Sequence, residues 1–119
     1  MRKLILLTVV AVVMGACAST KPPSEKLTRV KSSIQQAEQV GADDFAPLEI
    51  REARKKLDQA QELVGKKKYE EAKLMADRAM VDADLAQIKT LSEKSQKAVN
   101  ELRESIRVLK QEIQNNLNK

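Results

Sequence analysis

From Tyr69 to Leu117 the chain contains neither proline nor glycine, the two residues that most often end a helix. An uninterrupted run of that length predicts one helix roughly 70 Å long. Two stripes run along it. Ala72, Ala76, Ala79, Ala83 and Ala86 form a flat ridge that lets another backbone come close. Val81, Leu85, Ile88, Ser92, Ser95, Val99, Leu102, Ile106, Leu109 and Ile113 follow an unbroken 4-3 rhythm, weakened by the serines at its middle. A sustained seven-residue repeat is the pattern of left-handed helix packing.

The segments before it read as shorter helices. Ser24 is the expected N-cap of the first, over about 24–40, with Leu27, Val30, Ile34 and Ala37 on one face and Gly41 as its stop. Asp43 and Asp44 offer capping carboxylates, and Pro47 suits the first turn of a second helix over about 47–64. Ile50, Ala53, Leu57, Ala60 and Val64 form its apolar face, and Gly65 ends it. Lys66, Lys67 and Lys68 follow as a turn. The chain has no Trp, one Phe and one Tyr, so its core is thin and built from Ala, Leu, Ile and Val. Helices can bury such a core, whereas a small sandwich or barrel wants β-branched and aromatic strands.

The expected fold is all-α: a three-helix antiparallel bundle, with two short helices packed on the first half of the long one. The short helices reach only to about Lys89. This divides the chain into a bundle over 24–89 and a projecting, coiled-coil-like end over 90–119. The seam formed by Val99, Leu102, Ile106, Leu109 and Ile113 has no intrachain partner left. Burying such side chains contributes about 1.5–3 kcal/mol each, so another helix is expected there, from a second copy or an envelope protein. The alternative is a long helix bent back on the short ones. No Gly or Pro marks a hinge between Lys89 and Val99.

The first residues carry an address. Arg2 and Lys3 precede Leu4 to Met14, apolar except for Thr8, and the small pair Gly15-Ala16 follows. That is the layout of a signal peptide over 1–16. Met14-Gly15-Ala16-Cys17 resembles the lipobox of bacterial lipoproteins. The resemblance implies that Cys17, the only cysteine, is acylated (a thioether-linked diacylglyceryl and a further palmitate-like chain) and becomes the first mature residue. The uncharged interval Leu4–Thr20 is marginal for an uncleaved spanning anchor, which needs about 20 apolar residues. One acyl chain binds a membrane only reversibly, so stable attachment takes more than one. Ala18, where an Asp would signal inner-membrane retention in Gram-negative lipoproteins, implies the periplasmic face of the outer membrane. Residues 17–23 are then the lipidated cysteine and a tether stiffened by Pro22 and Pro23.

Asp44-Phe45-Ala46-Pro47-Leu48-Glu49, then Ala53, Lys56-Leu57, Ala60, Gly65, Tyr69, Ala72, Ala76, Ala79 and Asp82-Ala83, resemble an uncharacterised helical domain of Gram-negative lipoproteins. Some members of that family are followed by a peptidoglycan-binding domain of the outer-membrane-protein-A type. No such domain is present in this chain, and the family carries no activity to transfer. Tyr69, Ala72, Ala76 and Ala79 also look like the second helix of a tetratricopeptide repeat. One unit stands where a solenoid needs about three, so core packing is the expected role. A lipidated cysteine, a heptad-bearing helix and Lys119 together are similar to the murein lipoprotein. That likeness implies a covalent link from Lys119 to peptidoglycan, although Asn115-Asn116-Leu117-Asn118-Lys119 departs from that family's ending.

Little here points to chemistry. The chain has no histidine, and the one thiol is committed to lipid, so no catalytic pair built on histidine or cysteine is expected. Glu52 with Lys56 and Glu104 with Arg107 read as surface pairs on helix faces. Asp82 and Asp84 point to nearly opposite sides of a helix and cannot share a metal. No cofactor is expected beyond the lipid on Cys17. Loss of Arg2 and Lys3 takes the side-chain charge from +5 to +3, dispersed and without interleaved aromatics, which does not suit nucleic acid. In an antiparallel bundle the turn of Lys66, Lys67 and Lys68 returns to the end where the anchor lies. It suits either anionic headgroups or the negative end of the second helix's dipole.

The expected function is therefore that of a non-enzymatic, lipid-anchored scaffold of the cell envelope acting by helix–helix association. The alternatives are a tether to peptidoglycan through Lys119, or a small carrier holding a lipid or peptide among Leu27, Ile34 and Leu57.

Overall fold

A computed structural model describes residues 21–118. Among them the regular elements are all helices: α1 (Ser24–Gln39), α2 (Ala42–Phe45), α3 (Pro47–Gly65) and α4 (Tyr69–Leu117). Three of these are the expected helices, within a residue or two at each end. The single turn α2 is additional.

The ends of the helices correct several local expectations. Ser24 does not cap α1; it is already helical, and Pro23 stands at the cap position with its ring buried. The Pro23 carbonyl accepts the Leu27 N–H at 3.0 Å, so the helix begins on a backbone bond. Gly41 does end α1, at φ +97°, where its N–H reaches the Glu38 carbonyl at 2.9 Å. Asp43 and Asp44 are not caps either, because they lie inside α2 and neither side chain bonds to a helix terminus. Ala46, at φ −141° and ψ 51°, lies outside the helical region that a following proline disfavours, and Pro47 opens α3 with the fixed φ that suits a first turn.

α3 ends at Gly65 as expected, and the left-handed residue that closes it is Lys67, at φ +58°. The Lys68 N–H bonds to the Leu63 carbonyl and the Lys67 N–H to the Val64 carbonyl, both at 2.9 Å. This paired closure is the Schellman arrangement, and it places its positive φ one residue beyond the cap. A lysine there carries the cost of its Cβ, whereas a glycine would not. Lys67→Gly is expected to raise the unfolding free energy by about 1 kcal/mol, read from the urea midpoint at unchanged slope.

The core is shallow because most of it is alanine. Val30, Ile34, Ile50 and Leu57 are its larger members, and Leu27, Met75 and Met80 close its margins. Ala72, Ala76, Ala79, Ala83 and Ala86 of α4 are fully buried, so the ridge is the surface on which α1 and α3 both rest. Polar pairs flank the ridge and set the register. On one side Lys26 Nζ meets Asp77 at 2.6 Å and Ser33 Oγ donates to Asp84 at 2.8 Å, each at a sequence separation of 51. A constant separation means that α1 runs parallel to α4. On the other side Lys56 pairs with Asp82, and Lys89 Nζ with Glu49 at 2.8 Å. Seven residues up α4 there correspond to seven down α3, so α3 is antiparallel to both. The expected Glu52–Lys56 surface pair is thereby replaced: Lys56 reaches across to the half-buried Asp82 carboxylate of α4.

Burial on α4 ends at Thr90, whose hydroxyl donates to the Ala86 carbonyl at 2.7 Å. The next positions of the ridge would be Glu93 and Lys97, which cannot continue an apolar contact. Every residue from Leu91 to Asn118 is exposed, and the helix does not bend back. Two short helices thus clasp the first half of a long one, and the second half projects alone.

Candidate interaction surface

The outer face of α4 follows from the geometry of its inner one. The buried alanines and the 4-3 apolar stripe are offset by two residues, which at 3.6 residues per turn is about 200°. The stripe therefore lies opposite the bundle along the whole helix. Val81, Leu85 and Ile88 are exposed at 64%, 50% and 66%, although they stand level with the core. Val99, Leu102, Ile106, Leu109 and Ile113 continue the same line, between 45% and 62% exposed. Leu74, 54% exposed, falls on the same rhythm one step below Arg78. The apolar line is thus longer than the Val99–Ile113 seam expected from the sequence. It begins beside the bundle and extends about 60 Å.

Ser92 and Ser95 interrupt it where the bundle ends, and Ser95 turns its hydroxyl back to the Leu91 carbonyl at 2.8 Å. Glu104 and Arg107 form the expected pair, with two N–H···O bonds at 2.6 and 2.9 Å on a solvated side of the helix. That pairing holds the Glu104 carboxyl below its ordinary pKa and raises that of Arg107. It leaves the apolar line from Val81 to Ile113 free of charge, Arg78 being the one charged residue on its rhythm.

Lys66, Lys67 and Lys68 are all exposed. The Lys26–Asp77 bond puts the start of α1 beside the first turns of α4, so the basic turn and the start of α1 share one end of the molecule. Lys68 is tied to Glu71 at 3.1 Å, which leaves Lys66 and Lys67 as the outward cations of the turn. Cys17 and Lys119 lie outside the described residues. Leu27, Ile34 and Leu57, which a carrier would need around a cavity, pack into or against the core instead. The hollow above Ile34 and Leu57 is open to solvent and rimmed by Lys31, Glu38, Arg54 and Asp58. No helix among the described residues is long and apolar enough to cross a membrane.

Several polar ties at the far end of the bundle were not read from the sequence. Arg54 donates from Nε to Glu38 at 2.8 Å and from Nη2 to Asp43 at 2.7 Å, joining α3 to α1 and α2, and both bonds raise its pKa. Lys94 Nζ donates at 2.6 Å to the carbonyl of Val40, the residue that caps the end of α1, and sits 5.5 Å from the centre of the Phe45 ring. It stabilises the negative end of the α1 dipole and the aromatic face together.

Glu49 accepts from Lys89, while its Oε2 is buried without a partner. The hydrogen bond from Lys89, then that from its own backbone N–H, hold the Glu49 carboxyl below the ordinary glutamate value despite partial desolvation. A folded-state pKa lower than the unfolded one stabilises the fold fully above the unfolded value of about 4.3, and this stabilisation is lost as pH falls through the folded value. Lys89→Met is therefore expected to flatten the decline in stability as pH falls below about 5, measured by urea unfolding at each pH.

No curated protein and no solved structure matches this chain. The family described as a domain of unknown function, DUF4398, matches residues 25–102, which takes in the whole bundle and the projecting helix as far as Leu102. The match covers well over half of the sequence, and the chain belongs to the DUF4398 family.

Proposed function

We propose that this protein is a lipid-anchored structural component of a Gram-negative cell envelope, held at the periplasmic face of the outer membrane and acting by helix–helix association. The observation that carries the reading is the exposed apolar line on α4, opposite the bundle and continuous past its end. A monomeric scaffold has no use for such a line, and its burial against another helix is the favourable step. Function here is positioning: the acyl chains on Cys17 fix one end, and the seam selects what is held at the other. The basic turn of Lys66 and Lys67 supports the same orientation, since it stands at the end from which the tether leaves. Lysines near an anionic surface contribute about 1 kcal/mol each.

The interface is tested by Leu102→Glu combined with Leu109→Glu, which is expected to abolish association by sedimentation while the bundle stays folded. An unchanged association state would remove the seam from the proposal. The anchor is tested separately. Cys17→Ser is expected to abolish incorporation of labelled palmitate and to shift the protein from the membrane fraction to the soluble one. Retention of label in that variant would contradict the assignment of the lipid to Cys17.

A further inference from the structure

We infer that the partner on the α4 seam is a second copy of this chain, aligned parallel and in register. The inference rests on the anchored reading above and names the partner it leaves open.

Three observations carry it. The first is the identity of the seam residues. In heptad terms Leu85 stands at a and Val81 and Ile88 at d beside the bundle, whereas on the projecting half, where nothing else covers the seam, Val99, Ile106 and Ile113 occupy the a positions and Leu102 and Leu109 the d positions. β-Branched residues at a with leucine at d favour two parallel strands over three or four. The second is access. The seam lies about 200° from the alanine ridge, so two copies can join along α4 with each bundle on the outside. Nothing in α1 or α3 stands between them, and Leu85 and Ile88 extend the contact beside the bundle. The third is register. Between Val81 and Ile113, Ser92 and Ser95 make one small polar step in an otherwise apolar line. A shift of one heptad sets these hydroxyls against Leu85 and Ile88, or against Val99 and Leu102, whereas equal alignment sets them against each other.

Orientation follows from the anchor. The described chain begins at the end of the bundle that carries the basic turn, so two tethers entering one membrane bring both long helices out in the same direction. An antiparallel pair centred between Ser92 and Ser95 would also lay mostly apolar on apolar, with Leu74 opposite Ile113 but Arg78 opposite Leu109. It would hold the two tether ends about 60 Å apart.

The test uses the full chain in its native membrane, with Cys17 acylated and a single thiol introduced on the seam. Ile113→Cys, oxidised with copper–phenanthroline, is expected to give a disulfide-linked band at twice the chain mass. The same treatment of Glu101→Cys, on an outward face of the helix, is expected to give none. Sedimentation equilibrium of the purified chain in detergent is expected to return two chains per particle. A cross-link forming only when Ile113→Cys is mixed with Leu74→Cys would overturn the parallel arrangement, and three or more chains would overturn the pair. A product of Ile113→Cys with a different protein, from a chain that is monomeric when purified, would overturn the second copy while leaving helix docking intact. No product with any partner, from a monomeric chain, would overturn both.

Discussion

Ala79→Leu combined with Ala83→Leu is expected to lower the unfolding free energy by about 3–5 kcal/mol and to separate α1 and α3 from α4. Both alanines are fully buried on the ridge. The bundle has few large core residues whose movement could make room for added carbons. Over-filling a packed core costs about 1–3 kcal/mol per site, because side chains leave their rotamers or backbones shift. Here the backbones would have to move, and the flanking bonds Lys26–Asp77 and Lys56–Asp82 would be stretched with them. For a small domain this is a large share of total stability. Urea denaturation followed by circular dichroism reads the change. Ala98→Leu, on the exposed half of α4, serves as the control and is expected to leave the bundle transition where it was.

The second large effect is on association. Leu102 and Leu109 are 62% and 57% exposed in the single chain, so each has much of its apolar surface still to bury. Replacing both by glutamate removes four leucines from a two-chain seam and brings four like charges together. At about 1–2 kcal/mol per side chain, the dissociation constant is expected to rise by roughly three orders of magnitude or more. The bundle should not notice. These residues lie beyond Thr90, the last buried position of α4, and the thermal transition of the 24–90 region is expected to be unchanged. Total helicity is expected to fall, since a helix with no packed face rests on its own propensity.

The parts of this fold that could be read in advance are those governed by periodicity. The proline- and glycine-free run, the alanine ridge and the 4-3 stripe are spacings along one helix, and they gave the long helix, its buried face and the point where cover ends. Pro47 and Gly41 were legible for a similar reason, because each is confined to few backbone conformations. The partners of charged side chains were not legible. Glu52 and Lys56 satisfy the four-residue rule on one helix, yet Lys56 pairs across helices because Asp82 of α4 lies within reach and is shielded from water. A signal for this exists in the sequence: Lys26 with Ser33, Asp77 with Asp84, Glu49 with Lys56 and Asp82 with Lys89 each stand seven apart. That spacing marks polar edges beside a packed face as surely as Ala72 to Ala86 mark the face itself. The turn over Lys66 to Lys68 was legible, but its left-handed residue was not, because the closing hydrogen bonds set it two positions past Gly65. The short α2 turn was hidden because Asp43 and Asp44 suit capping as well as a first turn.

The seam's dependence on a partner can be measured directly by hydrogen exchange along α4 as a function of protein concentration. If the outer line is an interface, amides from about 96 to 117 should be protected when the protein is associated and lose protection on dilution, while those of Ala76 to Ala86 stay protected throughout. Protection of the projecting half that is the same at every concentration, or absent even in the most concentrated sample, would contradict the account.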